Sequence, residues 1–222
     1  EVGTCPSLFC LSVTVQNKTN NMMKNVRFAP WVGSAYTMGI EGKRMMALGE
    51  SHYCANPCDA DSGMTNRIIR LLFEPDREHE GFMNTYTKFE RALAGKPLSL
   101  AEKEQWWNRI LFYNYVQSPI SGPRKEPTRQ EFADSEAAFF EVLETYRPDG
   151  VLVWGKRLYD NLPKRGRQLD DLILPEGDSI ETWAYDLRNG HTVRLLPITH
   201  PSAAFTTGYW HVAISTFIRD MK

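Results

Sequence analysis

The sequence predicts an α/β fold, a three-layer α/β/α sandwich built on a short four-stranded parallel sheet. Four short apolar segments alternate with longer segments of helical periodicity, which is the chain order of parallel strands joined by helical crossovers. The apolar segments are nearly continuous, as in strands buried on both faces. The 222 residues are 42% hydrophobic and 24% charged, which is typical of a folded globular chain.

Each of the predicted strands is bounded by Gly, Pro or charged residues. They are residues 44–49, 110–116, 150–155 and 193–199. The segment 182–194 carries Asn189-Gly190 at its centre, a pair that favours a hairpin turn before the last strand.

The segments between the predicted strands carry sequence patterns typical of helices. Apolar spacing predicts a helix over residues 65–73, and two capping boxes, Ser99 to Glu102 and Thr128 to Glu131, mark the starts of two more. After the second box, apolar side chains recur on one helical face. A last helix is predicted from residue 209 onward, because apolar residues follow at i+3, i+4 and i+8.

Charge and composition exclude several classes of protein. The net charge of −1 argues against non-specific coating of nucleic acid, but leaves room for an enzyme that holds DNA with a few local cations. No apolar run approaches the ~20 residues that span a bilayer, so no membrane partner is expected. Four cysteines are too few for a disulfide scaffold. We therefore expect a reducing compartment, the cytoplasm, with association with the nucleoid as the alternative. A monomer is also expected.

The first 25 residues differ in composition from the rest. They are rich in Asn, Thr, Ser and Val, and Met22 and Met23 resemble a start of translation. We expect residues 1–25 to form a flexible arm or upstream extension, with one domain over residues 26–222. The alternative is an N-terminal strand packed on that domain.

Polar side chains follow the predicted strands where each one ends. Glu50 follows the first strand, Asn114 lies near the end of the second, and His200 follows the last. Ligands of such sheets bind at the carboxyl ends of the strands. A carboxylate, an amide and an imidazole are therefore expected to converge on one rim.

These residues lie in motifs that resemble those of the uracil-DNA glycosylase superfamily. Residues 49–53 read Gly-Glu-Ser-His-Tyr, where the superfamily has Gly-Gln-Asp-Pro-Tyr or Gly-Glu-Ala-Pro-Gly, and residues 200–202 read His-Pro-Ser. Residues 113–116, followed by Arg124, Thr128 and Glu131, are similar to a block of the iron–sulfur type. The resemblance covers roughly residues 43–220, and it implies that superfamily's fold.

The implied activity is hydrolysis of the N-glycosidic bond of uracil or another damaged base flipped out of DNA, as in base excision repair. By resemblance, Glu50 would orient water and stabilise the cationic sugar. His200 would donate a hydrogen bond to the uracil O2 as negative charge develops. Asn114 would read the Watson–Crick edge of the base.

Five further residues are implied in substrate binding. Gly49 and Ser51 belong to the first motif, and Tyr53 stands where many members crowd the uracil C5 and exclude thymine. Phe82 is the candidate aromatic platform for the base. Ser202 is placed to hold a DNA phosphate.

The chain also departs from the superfamily pattern. His52 replaces the motif's proline, and Ser51 occupies the site of the water-activating Asp or Asn of other branches. The cysteines of the iron–sulfur type are not in place, so we expect no cluster, no other metal and no cofactor. The connection over residues 54–80 is longer than usual and is a candidate lid or extra DNA contact.

Two other functions remain open from the sequence. A catalytically silent or DNA-independent relative would bind a nucleobase or nucleotide without releasing base. A serine hydrolase would use Ser51 as nucleophile and His200 as base, although no acidic partner is evident.

Overall fold

A computed structural model describes residues 23–122 and 125–221. Its strands are β1 (Trp31–Val32), β2 (Met45–Gly49), β3 (Ile110–Asn114), β4 (Gly150–Trp154), β5 (Arg167–Ile173), β6 (Ser179–Asp186) and β7 (Thr192–Ile198). Its α-helices are α1 (Met64–Leu71), α2 (Met83–Ala94), α3 (Leu100–Trp107), α4 (Arg129–Asp134), α5 (Glu136–Tyr146), α6 (Lys156–Asn161) and α7 (Thr207–Asp220). A short 3₁₀ helix covers Pro57–Asp59.

The strands form one mixed sheet in the order β1-β3-β2-β4-β7-β6-β5. The four predicted strands are present as β2, β3, β4 and β7, and the pairs β2–β3, β2–β4 and β4–β7 are parallel. The pairs β1–β3, β6–β7 and β5–β6 are antiparallel. The α/β class is therefore confirmed, whereas the predicted four-stranded sheet is wrong because the sheet has seven strands.

The hairpin of β5 and β6 explains most of that difference. β5 is largely exposed and carries charged residues, including Arg167, Asp170 and Asp171, so it lacks the apolar run of a buried strand. The predicted turn at Asn189-Gly190 is present between β6 and β7, where Gly190 has a φ of 83°.

Two apolar cores cover the two faces of the sheet. On one face, Met45, Phe112 and Leu196 belong to a core shared with α1, α2, α3 and α7. On the other face, Met46 and Leu195 belong to a core shared with α4, α5 and α6. Alternate residues of each central strand enter opposite cores, so all five residues of β2, β3 and β4 are buried.

Both predicted capping boxes are present. The Ser99 hydroxyl accepts from the Glu102 backbone N–H and the Thr128 hydroxyl from the Glu131 N–H, and each glutamate accepts in return from the cap residue's N–H. These bonds satisfy donors that helix starts leave without intrahelical partners.

The start of the described chain is packed against the domain. Met23 is buried, and Asn25 donates from its backbone N and its side-chain Nδ2 to the Glu141 carboxylate on α5, at 2.9 and 2.6 Å. Residues 1–22 of the predicted arm lie outside the described residues, as does Arg124. Among the described helices, none is long and apolar enough to span a bilayer.

Thr128→Ala removes the hydroxyl that caps α4. We expect the free energy of unfolding to fall by about 1 kcal/mol, measured by urea denaturation at pH 7. Thr128→Ser, which keeps the hydroxyl, is the control and is expected to stay near the wild-type value. Equal losses in both variants would contradict a capping role for Thr128.

Candidate functional site

A cavity of about 980 Å³ opens at the carboxyl ends of β2, β3, β4 and β7. It has this position because parallel strands end at the same edge of the sheet. Of the predicted site residues, it is lined by Gly49, Glu50, Ser51, Tyr53, Asn114, His200 and Ser202. The structure therefore brings together seven of the eight residues, and only Phe82 lies outside the lining.

Glu50 is held in an ion pair with Arg157, the second residue of α6. Arg157 donates from Nε to Oε2 at 2.8 Å and from Nη2 to Oε1 at 2.6 Å. Its Nη1 donates to Glu126 Oε1 at 2.5 Å. The Glu50 side chain is only 10% exposed. Both oxygens of the candidate catalytic carboxylate thus have a cationic partner, a pairing that the sequence did not predict.

The hydrogen bonds of His200 fix which ring nitrogen carries the proton. The backbone N–H of Ser202 donates to Nδ1 at 3.1 Å, and the Ser202 hydroxyl lies 2.7 Å from the same nitrogen. Since Nδ1 accepts, the proton of the neutral ring is on Nε2. Burial lowers the pKa of His200, Glu50 opposes that shift and Arg157 adds to it. At neutral pH His200 is therefore an uncharged N–H donor.

His52 is a buried structural partner of Asn114. Its Nε2 is 2.9 Å from the Thr65 hydroxyl of α1, and the Asn114 Nδ2 is 3.2 Å from each ring nitrogen. Burial, with a smaller contribution from Arg67, lowers the pKa of His52 to about 4. His52 therefore gives Asn114 a neutral polar neighbour.

Gly49 leaves space for the Asn114 side chain. The two residues are partners in the register of β2 and β3. A Cβ atom at Gly49 would lie 2.1 Å from Asn114 Oδ1, so no larger residue fits without moving the amide.

The aromatic wall of the cavity is formed by Tyr86, Phe112 and Trp154. The Tyr86 ring centroid is 5.7 Å from that of Phe112 and 5.6 Å from that of Trp154. Phe82 is 39% exposed and packs edge-on against Tyr86 at 6.3 Å. Sequence reasoning missed Tyr86, although it lies four residues after Phe82, on the same side of α2.

The remaining motif residues differ in their surroundings. Tyr53 is 49% exposed, and burial followed by the charge of Glu50 raises the pKa of its phenol. The Ser51 hydroxyl has no hydrogen-bond partner among the described residues. His200 Nδ1 is bonded to Ser202 instead. The described geometry thus lacks the Ser51–His200 pair that a serine hydrolase needs.

The long connection over residues 54–80 contributes to the site through α1. Thr65 contacts His52, and Ile68 lines the cavity. Cys54 and Cys58 are free thiols. Within residues 23–122 and 125–221, no group of three or more His, Cys, Asp or Glu side chains is placed to hold a metal ion.

Gly49→Ala tests the close approach of Asn114. We expect a loss of about 1–3 kcal/mol in the free energy of unfolding because the new methyl overlaps the amide, measured by urea denaturation. Gly81→Ala is the matched control, since a Cβ there meets nothing within 4 Å. A loss at Gly49 no larger than at Gly81 would contradict the contact.

Because its pKa is lowered in the folded protein, His52 binds a proton more readily in the unfolded chain. Its contribution to stability is complete above about pH 6.5 and is lost as the pH falls towards 4, by about 3 kcal/mol in all. Denaturation at pH 7 and at pH 4.5 should show a smaller pH-dependent loss in His52→Gln than in the wild type. Equal losses would show that His52 is not the titrating group.

Comparison with known protein families gives no match, and comparison with curated proteins gives none either. The functional assignment therefore rests on the geometry of the cavity and on the chemistry of the side chains around it.

Proposed function

We propose that the protein is a DNA glycosylase that hydrolyses the N-glycosidic bond of uracil or another damaged base flipped out of DNA. One observation carries the proposal. A carboxylate, an amide and an imidazole N–H donor, from Glu50, Asn114 and His200, line one cavity at the ends of neighbouring parallel strands. An aromatic wall stands beside them, as a flipped base requires for stacking.

The proposed chemistry divides between the carboxylate and the imidazole. The C1′–N bond breaks with its electron pair going to the base, which leaves a cationic sugar. Glu50 stabilises that cation and orients a water molecule, whose oxygen bonds to C1′. The proton lost by the water passes to the carboxylate and finally to the departing base. The products are a free base and an abasic site.

His200 supports the departure of the base as an anion. Its neutral ring donates from Nε2, so the developing negative charge on the base receives a hydrogen bond without a proton transfer from the imidazole. The Ser202 backbone N–H holds the ring in this tautomer. Because burial favours the neutral ring, this role does not require protonation and persists above pH 6.5.

The proposal extends to fold family and partner. We propose that the chain is a divergent member of the uracil-DNA glycosylase superfamily, because its motif residues lie at the ends of the parallel strands β2, β3 and β7. We further propose damaged DNA as the partner, a monomeric state and a cytoplasmic role in base excision repair.

A second candidate function is binding of a nucleobase or nucleotide without cleavage. The ion pair between Glu50 and Arg157 favours it, because a compensated carboxylate stabilises a cationic sugar less well. The cavity would still offer an aromatic wall, an amide and an N–H donor to a base.

The test uses labelled oligonucleotides, single-stranded and duplex, each with one deoxyuridine, hypoxanthine, xanthine or mismatched thymine. Alkali cuts the strand wherever base has been released. We expect Glu50→Gln to lower the rate of release by about two to four orders of magnitude, with oligonucleotide binding retained. The matched control is Glu126→Gln, which also removes a partner of Arg157 but does not line the cavity.

Each outcome separates the two functions. Release by the wild type and by Glu126→Gln, but not by Glu50→Gln, supports the glycosylase. An undiminished rate in Glu50→Gln refutes the role of the carboxylate. No release from any oligonucleotide, together with measurable binding of uracil or a nucleotide, assigns the second function.

A further inference from the structure

The Arg157 guanidinium is bonded to the carboxylate that the proposed reaction uses. It bonds both oxygens of Glu50 and one oxygen of Glu126. Its side chain is 44% exposed, whereas that of Glu50 is 10% exposed. Arg157 thus lies between solvent and the candidate catalytic carboxylate, and it lines the same cavity.

This pairing opposes the proposed role of Glu50. A carboxylate stabilises a neighbouring cationic sugar through its net negative charge, and a bidentate guanidinium compensates most of that charge. A site that worked with Arg157 in this position would lose much of its electrostatic stabilisation. The ion pair must therefore open before the bond breaks, or Glu50 does not act as proposed.

A phosphate group is the ligand best suited to open it. Guanidinium binds phosphate with the same two-pronged geometry that it uses with carboxylate. The second partner, Glu126, is 69% exposed, and exposed ion pairs contribute little. Since nearly half of the Arg157 side chain is accessible, an anion at the cavity mouth can reach it.

Two lysines add to the positive charge near the cavity. Lys156 lines it beside Arg157. Lys88 donates from Nζ to the carbonyl of Ala203 at 3.3 Å, and Ala203 is itself a lining residue. A polyanionic strand next to the cavity would therefore meet three cations. Lys156 is paired with the exposed carboxylates of Asp160, at 2.7 Å, and Glu181, at 3.9 Å, and such exposed pairs contribute little to hold it.

We propose that Arg157 exchanges Glu50 for a backbone phosphate next to the flipped nucleotide, and that this exchange restricts the site to phosphodiester-linked substrates. The inference rests on the proposed glycosylase function. In the free protein Arg157 compensates Glu50. A bound strand supplies a phosphate to Arg157 and leaves the carboxylate charge uncompensated. A free nucleoside supplies none, so Glu50 stays paired and the bond stays intact. Arg157 is a positioning residue in this scheme.

The experiment compares wild type, Arg157→Gln and Arg165→Gln on two substrates. Arg165 is the matched control, because it is an exposed arginine that lies over Phe140, away from the cavity lining. The substrates are a single-stranded oligonucleotide with one deoxyuridine and free deoxyuridine. Release is measured in single turnover with saturating protein, and oligonucleotide binding by fluorescence anisotropy at several salt concentrations.

An exchange of Glu50 for phosphate at Arg157 predicts different effects on binding and on the two cleavage rates. Arg157→Gln should weaken oligonucleotide binding about tenfold and reduce the slope of log K against log salt by about one. Release from the bound oligonucleotide should stay within about threefold of wild type, and release from free deoxyuridine should rise by about tenfold or more, since ~1.4 kcal/mol is a factor of ten. Arg165→Gln should leave both rates and the preference between substrates unchanged.

Three results overturn the inference. The first is a salt slope for Arg157→Gln equal to that for Arg165→Gln, which shows that Arg157 contacts no phosphate. The second is release from the bound oligonucleotide that falls to the rate of Glu50→Gln, which shows that the pair must stay closed. The third is free deoxyuridine cleavage that does not rise, which shows that Arg157 does not restrain Glu50.

Failure of the proposed function is distinguishable from failure of this inference. If the wild type releases no base, the glycosylase proposal fails. The claim that Arg157 restrains cleavage of free deoxyuridine fails with it. The phosphate contact is then measured by binding alone, with an oligonucleotide carrying 2′-fluoro-deoxyuridine, whose fluorine disfavours a cationic sugar. An unchanged salt slope in Arg157→Gln on this probe overturns the phosphate contact as well.

Discussion

Burial of the central parallel strands on both faces is the constraint on which the candidate site depends. Their side chains are committed to the two cores, so polar groups can appear only where the strands end. The register then decides which of these groups meet. Gly49 is the partner of Asn114 across β2 and β3, and the missing side chain at Gly49 admits the amide. The geometry of the cavity is therefore a consequence of the sheet pairing.

The sequence predicted the parts of the fold that depend on local signals. The strand β2 is a continuous apolar run, and the capping box at Thr128 satisfies a helix start within four residues. The sequence did not predict β5. Its pairing with β6 leaves much of it exposed, and its charged residues interrupt the alternation of apolar and polar residues that is typical of a strand. Sheet edges of this kind are determined by partners distant in sequence, and local patterns report them poorly.

The candidate site also has a part that local sequence signals predicted and a part that they did not. The motifs predicted Glu50 and His200 because each directly follows a strand. Arg157 also follows a strand, β4, which places it at the same edge of the sheet. Its ion pair with Glu50 was not predicted, because the two residues are 107 positions apart along the chain and meet through the β2–β4 pairing. The place of Tyr86 in the cavity wall was likewise not predicted, because an aromatic residue on a helix is more often part of a hydrophobic core. The charge on Glu50 and the shape of the cavity depend on contacts between residues distant in sequence. The residues that make these contacts are therefore harder to predict than the motif residues themselves.

His52 connects the segment over residues 54–80 to the candidate site. His52 uses its ring to contact Thr65, which lies on the helix α1 inside that segment, while Asn114 contacts the same ring from β3. The histidine thus joins the segment over residues 54–80 to the amide that faces the cavity. Because the ring is buried and its pKa is lowered to about 4, it joins them as a neutral group and adds no charge beside Glu50 at neutral pH.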